Sequence, residues 1–134
     1  MRELTVDATV NNILAVTDFV NEELNKFNCP EEVVAEIDIA IDEIFGNIAN
    51  YAYGEVVGKA KICIDVEDDV FNISFIDSGK KYNPLEREDP DITLSAQERE
   101  IGGLGIFIVK QSMDDVSYEY KNGNNILKIR KRMI

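Results

Sequence analysis

The sequence predicts an α+β fold in two layers, a mostly antiparallel sheet covered by helices on one face. Three observations lead there. Apolar residues recur every three or four positions in two long segments near the start. They alternate with polar residues in two adjacent segments around the acidic turn Glu67-Asp68-Asp69, and again in two final segments around Asn122-Gly123. Helices leading into such a sheet, with one later helix, make a two-layer sandwich. The 134 residues suffice for one domain with a proper core and are too few for two ordinary ones, so 1–134 reads as a single domain.

In chain order, a short strand is expected at Glu3–Val6. Helical spacing then runs from about Val10 to Phe27, with Ile13, Leu14, Val16, Phe19, Val20 and Leu24 as its apolar set, until Asn28-Cys29-Pro30 breaks it. Pro30 suits the first turn of a second helix, whose buried stripe is Ile37, Ala40, Ile41, Ile44, Phe45 and Ile48 and which should end near Tyr51–Gly54. Lys61–Val66 turns Ile62, Ile64 and Val66 to one face, and Val70–Asp77 does the same with Phe71, Ile73 and Phe75, so the two form an antiparallel hairpin. From Ser78 to Ile101 periodicity vanishes; Pro84, Pro90 and many charges mark a long connection, read as a lid over about 78–103 that is mobile without nucleotide. Helical spacing returns from Gly103 to about Met113 through Leu104, Phe107 and Ile108, and Val116–Lys121 with Asn125–Arg132 make the last hairpin.

Composition removes whole classes of function. With 14 basic and 26 acidic residues the net charge is −12, which repels a phosphate backbone and favours a basic protein partner over nucleic acid. The absence of histidine excludes a Ser-His-Asp triad, histidine-ligated metals and phosphohistidine. No apolar run is long enough for a bilayer, and Met1-Arg2-Glu3-Leu4 lacks a signal-peptide pattern. Cys29 and Cys63 are too few for a zinc cluster or disulfide framework, so they read as reduced thiols of a cytoplasmic protein.

Three short motifs carry the chemistry. Glu43 and Asn47 lie one helical turn apart on one face, where a carboxylate can accept a proton from an attacking hydroxyl and an amide oxygen can ligate Mg²⁺. Taken alone, the pair more readily fits a solvated face of an amphipathic helix, where Glu and Asn at such spacing are common. Asp77-Ser78-Gly79 ends a strand and could present a carboxylate to an exocyclic amine, although an ordinary turn has the same composition. Gly102-Gly103-Leu104-Gly105 opens a helix; its bare backbone permits close approach, and the following N–H groups bind phosphate oxygens, while a hinge without ligand is the ordinary alternative.

In this order Glu43-Ile-Phe-Gly-Asn47, Asp77-Ser-Gly79-Lys-Lys-Tyr-Asn-Pro84 and the run from Gly102 to Tyr118 with Asn122-Gly-Asn-Asn-Ile-Leu127 resemble the Bergerat-type (GHKL) ATPases, and among them the anti-sigma factor serine/threonine kinases. The likeness covers about Pro30 to Lys131 and implies a two-layer Bergerat fold that binds ATP and Mg²⁺, phosphorylates a small anti-anti-sigma antagonist protein and sequesters a sigma factor. By position it implies Glu43 as catalytic base, Asn47 as magnesium ligand, Asp77 as adenine contact, Gly79 as its turn, and Gly103, Leu104 and Gly105 as the phosphate-binding end of the lid, with Asn124 also at the nucleotide. Tyr53 matches the aromatic that closes the first motif, and Tyr51 stands where the family often has histidine. Lys81 departs from the pattern, occupying the place of a second glycine, where it would either reach a phosphate or crowd the nucleotide. Two other readings share the fold: a weakly active module that works by sequestration alone, and a catalytic fragment like that of sensor histidine kinases. A homodimer is compatible with all three.

Overall fold

Alternating apolar side chains in five segments assemble the sheet. In the computed structural model, which describes residues 1–86 and 104–133, these are β1 (Arg2–Asp7), β2 (Lys59–Glu67), β3 (Val70–Asp77), β4 (Asp115–Lys121) and β5 (Asn124–Arg132). Their order across the sheet is β1-β2-β3-β5-β4, and every neighbouring pair is antiparallel. The register aligns Ile62 with Phe75, Ile64 with Ile73, Phe75 with Leu127 and Ile73 with Ile129, so one face carries a continuous apolar surface. Asp77 and Asn125 have the same parity as these residues and are paired with each other, which brings two polar side chains to the core face at one end of the sheet. The turn into β5 is Asn122-Gly123 with both φ positive, as a tight two-residue hairpin connection requires.

Three helices cover that face: α1 (Ile13–Lys26), α2 (Glu31–Asn47) and α3 (Leu104–Ser112). The expected α2 stripe is buried in full, with Ile37, Ala40, Ile41 and Phe45 inaccessible to solvent. Phe45 projects from α2 into the single buried cluster formed by the described residues, and truncating such a ring to alanine costs about 3–5 kcal/mol. Instead of continuing as an α-helix, the chain after Asn47 widens into a π-helical turn over Ile48–Ala52.

Two side-chain assignments made from periodicity are corrected. Leu14 is 68% exposed rather than part of the α1 core set, because it lies about 200° around the helix from Val16, which is buried. On α3 the buried face is Ile106 and Val109, continued by Met113, whereas Leu104 and Ile108 are exposed and Phe107 is half-buried. From Leu104 to Val109 α3 has no polar side chain, so spacing alone offers no polar face there by which to choose the buried one. The first helix also begins later than expected, after a 3₁₀ turn at Val10–Asn12. Of the lid over about 78–103, the part at 87–103 lies outside the described residues; Pro84–Glu86 forms a 3₁₀ turn.

Candidate functional site

A cavity of about 550 Å³ opens between α2, its π-helical extension, the ends of β3, β4 and β5, α3 and the segment after Gly79. Its walls are apolar: Ile44, Ile48, Ala52, Phe75, Ile106 and Leu127. That volume suits a drug-sized or nucleotide-sized ligand.

At one end stands Asp77, 6% exposed. Its Oδ1 accepts from the Gly79 N–H at 2.9 Å and from Asn125 Nδ2 at 3.0 Å. The π-helical turn holds the Asp77-Ser78-Gly79 corner in place. Ala52 carbonyl accepts from the Lys80 N–H at 2.8 Å, and a methyl group on Gly79 would overlap that same carbonyl, so only glycine lets the two segments approach. Tyr53 Oη accepts from the Ser78 N–H at 2.8 Å and donates to the Lys59 carbonyl, tying the corner to β2. A π-turn of this kind often marks a functional site, and here it presents the carbonyl that meets the corner.

At the other end α2 supplies Asn47, which lines the cavity, and Glu43 one turn earlier. Both are half-buried, and Asn47 Nδ2 donates to Glu43 Oε1 at 3.2 Å. An amide that donates to a carboxylate keeps its carbonyl oxygen as the group able to ligate a hard cation. The start of α3 rests on Glu43: a methyl group on Gly105 would overlap the carboxylate itself. Glycine is therefore what brings the α3 N-terminus against the acid.

Of the residues expected at the site, Asn47 and Asp77 line the cavity, Glu43 bonds to Asn47 and meets Gly105, Gly79 bonds to Asp77, Leu104 is exposed at the first position of α3, and Gly103 lies outside the described residues. Asn124 does not line it. Its Oδ1 accepts from Ser78 Oγ at 2.7 Å, on the face of β5 opposite to the core. Lys81 is also absent from the lining; its ammonium lies 5.2 Å from the centroid of the Tyr120 ring, in a separate hollow with Tyr82, Asn83 and Glu86. The lysine that lines the cavity is its neighbour Lys80.

Sequence reasoning missed Asn125 and Tyr118. Asn125, 6% exposed, bonds to Asp77, to the Lys80 carbonyl at 2.9 Å and to the Tyr82 N–H at 3.1 Å, and it accepts the Tyr118 hydroxyl. Burial, with a further contribution from the nearby Asp77 charge, pushes the Tyr118 hydroxyl above the usual phenol range and keeps it protonated. One signal was available: a polar residue at 125 in phase with Leu127 and Ile129 sits at a core position and needs a buried partner.

The model of the histidine kinase-like ATPase domain matches residues 6–131, nearly the whole chain. The chain belongs to that family. Its architecture is the two-layer Bergerat (GHKL) type that the three motifs implied. Among curated relatives, the serine-protein kinase RsbW of a Bacillus cereus strain is 28% identical over 107 residues, covering 77% of this chain and 67% of that protein. RsbW of Listeria monocytogenes serovar 1/2a is 27% identical over 101 residues, covering 72% of this chain and 64% of that protein. Two solved structures share the fold. One holds the RsbU and RsbW domains of Rv1364c from Mycobacterium tuberculosis, with TM-score 0.69, 18% identity, and coverage of 99% of this chain and 33% of that one. The other is the catalytic domain of the histidine kinase ThkA, with TM-score 0.57, 16% identity, and coverage of 99% and 98%. No helix among the described residues is long and apolar enough to cross a membrane.

Proposed function

We propose that this chain is a cytoplasmic, ATP- and magnesium-dependent serine/threonine kinase and anti-sigma regulatory factor, with residues 1–134 as one ATP-binding domain and 78–103 as its lid. It phosphorylates a small antagonist protein and sequesters a sigma factor. The observation that carries this reading is the cavity lined by both the buried Asp77 carboxylate and Asn47, whose amide donates to Glu43. The relatives named serine-protein kinases support the direction of the chemistry.

ATP supplies the transferable phosphoryl group, and Mg²⁺ offsets its charge. The residues present suit both. Asp77, at the end of an apolar slot, accepts from an exocyclic amine, while Phe75, Ile48 and Leu127 keep water from the ring faces. Among the described residues no group of three or more acidic or cysteine side chains could hold a metal alone, so Asn47 would hold the cation together with oxygens of the nucleotide. Glu43 takes the proton of the attacking seryl or threonyl hydroxyl. The first backbone N–H groups of α3 would be the donors available to the phosphates. Lys81, stacked on Tyr120, leaves the cavity clear, which favours the active kinase over sequestration alone.

The test is to incubate the protein with labelled ATP and the products of neighbouring genes. Label on serine or threonine of one of them is expected. Capture of a neighbour without any transfer would replace the kinase with the sequestering module.

A further inference from the structure

Along β5 the residues in phase with Leu127 and Ile129 face the helices, and that row ends in Lys131, which is paired with Phe71 of β3. A core-face position ordinarily takes an apolar side chain, and an ammonium placed beneath helices is costly unless it is bonded. This one is bonded twice. The Lys131 side chain is 17% exposed; its ammonium donates to the Ser112 carbonyl at 2.7 Å and lies 3.4 Å from Glu36 Oε1. Ser112 ends α3, where the last carbonyls lack intrahelical partners and the helix dipole favours a cation, and Glu36 belongs to α2. One side chain of the sheet thus ties the two helices together.

The tie has a counterpart at the site. Gly105 meets the Glu43 carboxylate at the start of α3. Ser112 lies two turns beyond Gly105 on α3 and Glu36 lies two turns before Glu43 on α2, about 10.5 Å in each case and on one face of each helix. The helices therefore run antiparallel and meet at two points of matched spacing. The glycine contact is steric and opposes approach, while the buried Ile106 and Val109 hold α3 to the core without direction, as apolar packing does. The bridge at the far end is directional. We propose that Lys131 is a positioning residue: through Glu36 and the Ser112 carbonyl it fixes α3 along α2, and so fixes where the first N–H groups of α3 stand relative to Glu43. The inference rests on the nucleotide reading above, in which those groups meet the phosphates. Neither Lys131 nor Glu36 is among the residues lining the cavity, so both act through α3.

The test compares Mg-ATP, which reaches α3, with adenosine, which lacks phosphates, by titration calorimetry, directly for the first and by competition for the second. Lys131→Met keeps the stem and removes the charge. It should lower the ratio of Mg-ATP to adenosine affinity about tenfold, one hydrogen bond's worth, with adenosine affinity unchanged. Lys131→Arg, which can donate to both partners, should restore the ratio to within about twofold, and Glu36→Ala should lower it about threefold, the worth of a partly exposed ion pair. A residue that served the fold alone would weaken both ligands together or neither. An unchanged ratio in Lys131→Met and Glu36→Ala, with melting curves showing them folded, would overturn the proposal and spare the nucleotide reading; should Lys131→Met fail to fold, an unchanged ratio in Glu36→Ala overturns it alone. Wild type that binds Mg-ATP no more tightly than adenosine also overturns it. Wild type that binds neither overturns both.

Discussion

At one end of the cavity Asp77 and Asn125 face each other across the β3–β5 ladder, both 6% exposed and bonded to backbone on neighbouring segments. At the other end Glu43 and Asn47 stand half-buried one helical turn apart, with one bond between them and the start of α3 against the carboxylate. Strand register fixes the first end, and a side chain cannot leave it without breaking the ladder. The second end depends on how α3 seats on α2. In the proposed reading, recognition rests on the sheet and chemistry on the packing of α3 against α2.

The largest effect should come from the helical end. Glu43→Ala is expected to lower transfer to the partner by roughly 10²–10⁴-fold with nucleotide affinity nearly unchanged, read by labelled phosphate and by calorimetry. A parallel loss of affinity would mean that the two ends are not separable. Next is the gain in stability on binding. Mg-ATP at about 100-fold excess over its Kd should stabilise the fold by roughly 2.7 kcal/mol, a melting shift on the order of 8–10 °C. Asp77→Asn should shrink that shift with or without magnesium, and Asn47→Ala only with it. If both behave alike, the division of labour between the ends is wrong.

The two site glycines give a smaller contrast. Gly79→Ala meets the Ala52 carbonyl, which is backbone and cannot give way, so a loss of about 1–3 kcal/mol in denaturant unfolding is expected. Gly105→Ala meets the Glu43 side chain, which can rotate. Stability should hold while phosphoryl transfer falls; equal destabilisation would place both glycines in rigid surroundings.

The smallest effect lies away from both ends. Bonds from Lys26 and then Arg2 hold the Glu23 carboxyl below its ordinary value of about 4.5. A depressed acid is more stable folded when ionised, so its contribution is complete above about pH 4.5 and is lost as pH falls through the lower folded value. Glu23→Gln should flatten the acid limb of the stability curve without changing nucleotide affinity at neutral pH. An unchanged acid limb would remove Glu23 from the account.

Legibility differed between layers. β3, written with Phe71, Ile73 and Phe75 in strict alternation, emerged from sequence with the bounds it has in the structure. α2 was equally plain over its stripe, but its end was not: the change to a π-turn at Ile48 reflects the corner at Gly79 that packs on it, which local spacing does not encode. α3 was seen as a helix, but which face it buries was not legible, since its residues from Leu104 to Val109 carry no polar side chain. Lys81 could be flagged as a side chain in a glycine position, yet its ammonium lies against Tyr120, a residue of β4 distant in the chain.

By itself the sequence determined the order of elements, the sheet face that is buried and the family, because periodicity and short motifs are local properties that survive without coordinates. Only the tertiary structure decided which polar residue answers Asp77. Asn124 and Asn125 are indistinguishable as a pair in the chain, and the pleat sends one to Ser78 on the outer face and the other to the carboxylate in the cavity. A one-residue difference in register reverses every side chain of a strand, so that choice belongs to the pairing of β3 with β5 and to neither strand alone.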